Sequence, residues 1–174
     1  MIANVINKHN PAGAVQLALP GQQAPSPEGR RSDTKCATTW GALVVLDTNI
    51  ILDAFVFNDQ TSEPIRQGLA ANSLKWIASQ AMRDELARVL AYPKIVRRLN
   101  FYQLTSGAVL NQFDLYAQLI EPAPKASLTC KDADDQKFID LAVQHKALLI
   151  SKDQHILSMQ KRLLAHGARA QAAM

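Results

Sequence analysis

The chain has 174 residues, of which 48% are hydrophobic and 20% charged, with a formal net charge of +4. That length suits one domain with a proper core rather than two, and the lack of any apolar run of roughly 18 residues excludes a spanning helix. The positive charge decides little: four basic and two acidic side chains fall in residues 1–41, leaving 15 basic and 13 acidic for the rest, so a nucleic-acid surface must come from local clustering.

Residues 1–41 are rich in Pro, Gly, Ala, Gln and Ser, as in PGQQAPSPEGRRSD. Such a composition offers no core and predicts a disordered leader; a start codon assigned too far upstream accounts for it equally well. The apolar residues between Ala12 and Pro20 are interrupted by Gln16 and lack a dense basic start, unlike a secretory signal. Cys36 and Cys130 are far apart, without metal-ligand spacing or a disulfide framework, and read as reduced thiols of a cytoplasmic protein.

The domain is expected over 42–174. It starts at Ala42-Leu43-Val44-Val45-Leu46, a short run apolar on both faces, as in a buried parallel strand. Ile50–Phe57 and Ser62–Ala71 read as helices, Leu74–Ala78 as a strand, and Ser79 as the cap of a helix running to about Ala91. In that helix Met82, Leu86, Val89 and Leu90 share one face. Pro93 opens a short basic helix, and Gln103–Ile120 reads as one long helical arm or lid. Ala126–Thr129 suggests a short strand, Ala133–His145 a helix, Ala147–Ile150 a strand and Gln154–Leu164 a terminal helix, while Leu164–Met174 is Ala-rich and not strand-like. Alternating strands and helices predict an α/β fold: a central parallel sheet with helices on both faces.

Sites in such sheets lie at the carboxyl ends of the strands, and acids gather there. Asp47 follows the first strand, Asp153 follows the Ala147–Ile150 strand, and Asp132 and Asp135 follow the 126–129 segment. Glu85 flanks the apolar face of its helix, and Asp135 aligns with Phe138 and Ala142 along a buried stripe. Each acid alone has a plainer reading, because Asp47, Asn49, Asp132 and Asp153 all stand where helix caps stand, and the Asp132–Asp135 spacing resembles a capping box. Together they repel one another unless a cation neutralises them. Oxygen ligands without Cys or His favour Mg²⁺ or Mn²⁺ over zinc.

The chain resembles the PIN-domain nucleases, above all the bacterial subfamily that supplies toxins of toxin–antitoxin systems. The resemblance rests on LVVLDTNIIL (Leu43–Leu52), SQAMRDELARVLAYPKIVRRL (Ser79–Leu99) and CKDADDQKFIDLAVQHKALLISKDQHIL (Cys130–Leu157), which together anchor nearly all of residues 42–157. DTN alone is weak; the ordered set is specific. The resemblance implies a three-layer PIN-like fold and metal-binding, catalytic acids at Asp47, Glu85, Asp135 and Asp153. It adds Asp132 as a further acid, with Asn49 and Ser151 orienting the first and last acids. The chemistry implied is metal-dependent hydrolysis of RNA, with a cognate antitoxin and a homodimer as partners in view. The alternative is a catalytically weak module that binds RNA or protein. The family also tends to end in a further strand and helix, which Leu164–Met174 does not suggest.

Lys94, Arg97 and Arg98 form the densest basic cluster, either a solvated helix face or a phosphate-contacting surface. Lys131 and Lys152 lie beside the acids and are candidates for the scissile strand. Trp76 and Tyr92 read as core residues before base-stacking ones, and His145, His155 and His166 as surface histidines, with no nucleophile pattern near them.

Overall fold

A computed structural model describes residues 41–174; residues 1–40 of the predicted leader, Cys36 among them, lie outside the described residues. The first strand, β1 (Ala42–Leu46), is the centre of a five-stranded sheet. Val44, Val45 and Leu46 are all buried. Successive strand residues point to opposite faces, so both faces of β1 are covered by protein.

The chain works outward from β1 and then returns. Helix α1 (Thr48–Phe55), a 3₁₀ turn at Gln60–Ser62 and α2 (Glu63–Ala70) lead to β2 (Leu74–Ala78), which lies parallel beside β1. Helices α3 (Gln80–Leu90), α4 (Pro93–Phe101) and α5 (Ser106–Tyr116) precede β3 (Ala117–Leu119), parallel to β2 at the sheet edge. The chain then crosses to the other side of β1 through α6 (Gln136–His145) and β4 (Leu148–Ile150). Two short helices, α7 (Gln154–Leu157) and α8 (Gln160–Ala165), lead to β5 (Arg169–Gln171), the opposite edge. The strand order is β3-β2-β1-β4-β5, all parallel. The direction of winding reverses between β1 and β4, the place where open α/β sheets form their ligand crevice.

Trp76 anchors the core, with Phe113 edge-on at 4.7 Å and Phe55 stacked at 6.3 Å. Met82, Leu86 and Leu90 of α3 are fully buried, as the predicted stripe requires, with Val89 partly buried beside them. Lys146 adopts a left-handed conformation (φ 51°) that ends α6, and the amide of Ala147 closes back onto the Ala142 carbonyl at 2.9 Å. The chain thus turns directly from α6 into β4. Cys130 is a buried free thiol. Among the described residues no helix is long and apolar enough to cross a membrane.

Four sequence expectations need correction. The helical arm predicted over Gln103–Ile120 stops at Tyr116, and its last residues become β3. Pairing with β2 wins there, and the Ile120 amide still donates to Ala78 at 2.9 Å. The strand predicted at Ala126–Thr129 does not form. Its backbone bonds go to side chains of α6: the Ala126 amide donates to Asp140 Oδ1, Gln136 Nε2 donates to the Leu128 carbonyl, and the Cys130 amide donates to Gln136 Oε1, each at 2.8 Å. The terminal helix over Gln154–Leu164 is two helices, with the break at Ser158 and Met159. Finally, the Ala-rich tail does hold a strand, β5, and the buried Ala170 shows why small residues suit it.

Candidate metal centre

The parallel register places Leu46 opposite Ile150, so Asp47 and Ser151 leave the sheet side by side at the switch point. The Asp47 amide donates to the Ile150 carbonyl at 3.0 Å, which carries the β1–β4 ladder one step past the strands. Ser151 is fully buried; its hydroxyl donates to Asp47 Oδ2 at 2.7 Å and accepts from the Asp153 amide at 3.0 Å. Asp47 stands at the N-cap of α1, yet its carboxylate makes no capping hydrogen bond. Burial pushes its carboxyl above the usual carboxylate range, and the charge of Glu85 adds to this. The Ser151 hydroxyl and the neighbouring amides of Asn49 and Thr48 work the other way.

Glu85 reaches the same place from α3. Its Oε1 accepts from the Thr48 hydroxyl at 2.9 Å, tying α3 to the start of α1. Its Oε2 is buried and pairs with the Lys137 ammonium, which also donates to the Asp134 carbonyl. Asp135 precedes α6. The helix starts later than predicted, at Gln136, so Asp135 occupies the N-cap, again without a capping bond. Its Oδ2 is buried with no hydrogen-bond partner among the described residues. Burial pushes the Asp135 carboxyl up to about 6, with further upward pressure from Asp47, Asp153 and Asp132 and a smaller opposing pull from Lys137.

Asp47, Glu85 and Asp135 line one cleft of about 690 Å³. Asn49, exposed on the first turn of α1, lines it too. The facing wall comes from the end of α3 and from α4, with Tyr92, Ile95, Lys94 and Arg97. Tyr92, expected in the core, is 49% exposed on this wall, whereas Trp76 is the core residue expected. Arg98 is exposed on α4 but does not line the cleft, and Lys131 is exposed beside Asp132. Lys152 pairs with Asp53 at 2.7 Å and with Asp59 at 3.4 Å, outside the cleft.

Asp153 lies near enough to raise Asp135 but does not line the cleft. It caps α7, accepting from the His155 amide at 2.6 Å. Asp132 holds its own turn by accepting from the Asp134 amide at 2.9 Å, which is a local turn and not a capping box. Ligand atoms of Asp132, Asp135 and His155 lie within 4.8 Å of one another. His155 is exposed, as a surface histidine should be, but sequence reasoning assigns it no place near the acids and does not single out Lys137. Both stand two residues after an acid of the pattern, and only the folded backbone turns them toward its neighbours.

Three features of this group suit a hard divalent cation. Its donors are carboxylate oxygens, one of them, Asp135 Oδ2, lacks a polar partner, and a lysine ammonium already sits against another. Carboxylates crowded at a sheet's switch point with one ammonium among them define, with this topology, an α/β protein whose acid-lined crevice is a candidate centre for metal-assisted chemistry. Residues 43–155 match the PIN domain family, and the chain belongs to that family. It is 25% identical over 118 residues to the uncharacterized protein MJ1680 of Methanocaldococcus jannaschii, an alignment covering 67% of this chain and 74% of that protein. Its fold resembles a chain of VapBC2 from Rickettsia felis, solved bound to a DNA fragment from its promoter. The TM-score is 0.53 at 16% identity, over 74% of this chain and 97% of the other.

Proposed function

We propose that this chain is a metal-dependent endoribonuclease that hydrolyses RNA phosphodiester bonds with Mg²⁺ or Mn²⁺, and that it is the toxin of a toxin–antitoxin pair. The observation that carries the reading is the convergence of Asp47, Glu85 and Asp135 on one cleft, with an unpartnered Asp135 oxygen and a carboxyl pushed up to about 6. A bound divalent ion supplies Lewis acidity at the scissile phosphate and acidifies the attacking water.

The protein's own part is positioning. Asp47 is fixed by Ser151 and Glu85 by Thr48, so two ligand carboxylates are set before substrate arrives. Lys137 pairs with Glu85 and would release that carboxylate were a divalent ion to take over its charge. Lys94 and Arg97 on the facing wall supply cations for the phosphates flanking the cleavage point, and exposed Arg98 and Lys131 extend that surface. Lys152 is committed to Asp53 and Asp59 and is left out of this role. The antitoxin assignment rests on the likeness to VapBC2 and on the sequence resemblance, and it carries with it a cytoplasmic location.

Purified protein incubated with single-stranded RNA, with and without Mg²⁺ or Mn²⁺, tests the cleavage reading. Cleavage that requires the metal and disappears in Asp47→Asn supports it. RNA retained but never cut at any metal concentration assigns the chain instead to the catalytically weak, RNA-binding class.

A further inference from the structure

We propose that Tyr92 is a base-stacking residue: its ring receives one unpaired nucleobase of the bound RNA on the wall that faces the acids. The inference rests on the nuclease reading above and adds a contact with a base, where the acids meet the metal and the cations meet phosphate. Tyr92 lines the same cleft as Asp47, Glu85 and Asp135 and is 49% exposed there. Phe101 and Leu115 are more exposed, at 74% and 68%, but neither lines the cleft. Single apolar side chains in solvent are ordinary; an aromatic ring held open inside a concave, acid-lined cleft is not.

Among the described residues Tyr92 meets no other aromatic ring, and its hydroxyl makes no hydrogen bond. The exposed rings of Phe101 and Tyr102, by contrast, pack edge-on against each other at 5.0 Å. The backbone that carries Tyr92 is nevertheless well fixed. Its amide donates to the Val89 carbonyl at 3.0 Å, and its carbonyl accepts from the Ile95 and Val96 amides at 2.8 and 2.9 Å. Pro93 follows as the first residue of α4, with φ set by the pyrrolidine ring. A tyrosine has few side-chain torsions, so ordering its ring against a ligand costs little entropy.

The surroundings select the ligand. Pro93 and Ile95 give the wall beside Tyr92 an apolar surface, and Lys94 and Arg97 add two cations. An apolar peptide side chain would cover the first and leave the cations without anions. A nucleic-acid strand supplies both, with flat rings for Tyr92 and phosphates for Lys94 and Arg97. The cleft, at about 690 Å³, has the size of sites that enclose a small organic group. Stacking needs only a π-face, so the contact tolerates any base, provided that the base is free of its pairing partner.

The test is a cycle of changes in protein and RNA. Binding of a single-stranded adenosine oligoribonucleotide of about eight residues is measured in Mg²⁺ with the full chain carrying Asp47→Asn, which suppresses cleavage. Further oligonucleotides carry an abasic ribose at each position in turn. Tyr92→Ala should weaken binding about fivefold or more. The slope of log affinity against log salt should stay unchanged, because stacking releases no counterions. Tyr92→Phe keeps the ring and should bind within about twofold of the parent. At one position the abasic ribose should cost as much as Tyr92→Ala, and the two changes together no more than either alone. A folding defect would instead lower binding of every abasic oligonucleotide equally, and such additive losses at all positions overturn the proposal. Wild-type cleavage alongside additive losses leaves the nuclease reading standing. Coupling at one position without wild-type cleavage overturns that reading alone, and RNA that binds neither protein overturns both.

Discussion

Along one wall of the cleft the functional side chains are buried and tied to each other; along the other they stand in solvent on a single helix. Asp47 is 4% exposed and held by Ser151 across the β1–β4 ladder, and Glu85 is held by Thr48. Lys94 and Arg97 are exposed on α4, and Tyr92 is exposed at its N-cap. The difference separates two tasks. A metal cage needs ligands fixed to a fraction of an ångström by a rigid support, whereas contact with a flexible phosphate chain tolerates long, mobile cations. Changes on the first wall should act on turnover, and changes on the second on affinity.

The largest effect should come from the buried wall. Asp47→Asn keeps an acceptor for Ser151 and a good N-cap residue, so the fold should persist. Removal of the ligand charge should reduce metal-dependent cleavage by on the order of 100-fold or more. Near-normal cleavage by this variant would reduce Asp47 to a cap and erase the contrast between the walls.

Gln136 holds the loop that delivers Asp132 and Asp135. Its side chain bonds the backbone at Leu128 and Cys130 and reaches Asp140. Gln136→Ala should cost about 1–3 kcal/mol of stability, read by denaturant unfolding. A neutral result would mean that the loop finds its place without α6.

Asp135→Asn should act in the opposite direction on the metal-free protein. The folded state holds the Asp135 proton up to about pH 6, against an ordinary value of 3.8. The unfolded chain therefore releases that proton first, and this group weakens the metal-free fold progressively as pH rises from near 4 through 6. Asn removes the penalty, so the variant should gain on the order of 1 kcal/mol over wild type. The gain should widen across that interval and stay level above it. The variant should also lose most of the melting-temperature rise caused by divalent cations. A variant less stable than wild type at pH 7 without metal would show that the carboxylate is not under strain.

The smallest effect belongs to the exposed wall. Replacing Lys94, Arg97 and Arg98 with Ala should leave turnover at saturating RNA nearly unchanged while weakening binding. Each lost phosphate contact should flatten the slope of log affinity against log salt by about 0.7. An unchanged slope in an RNA titration would place the RNA path elsewhere.

The parts of this design that were legible in the sequence are those fixed by local chemistry. Ala42–Leu46 and Leu74–Ala78 are short apolar runs with turn residues after them, and both form the strands expected. The acid-bearing motifs gave the family because their order along the chain is specific. What local pattern could not convey was competition between partners. Gln103–Ile120 reads as one helix, but the edge of β2 offers Ala117–Leu119 a ladder. Ala126–Thr129 looks like a strand, yet Gln136 and Asp140 satisfy its backbone first. The approach of His155 to Asp132 and Asp135 was hidden for the same reason: some twenty positions separate them in the chain, and the α6–β4 turn closes the distance.

The central claim, that the cleft is a divalent-metal centre, is tested most directly by growing crystals with Mn²⁺ and collecting data at the manganese absorption edge. An anomalous difference peak bounded by the carboxylates of Asp47, Glu85 and Asp135, with Lys137 moved away from Glu85, is the predicted result. Strong Mn²⁺ density elsewhere, with none in the cleft and the Lys137–Glu85 pair intact, would contradict the account.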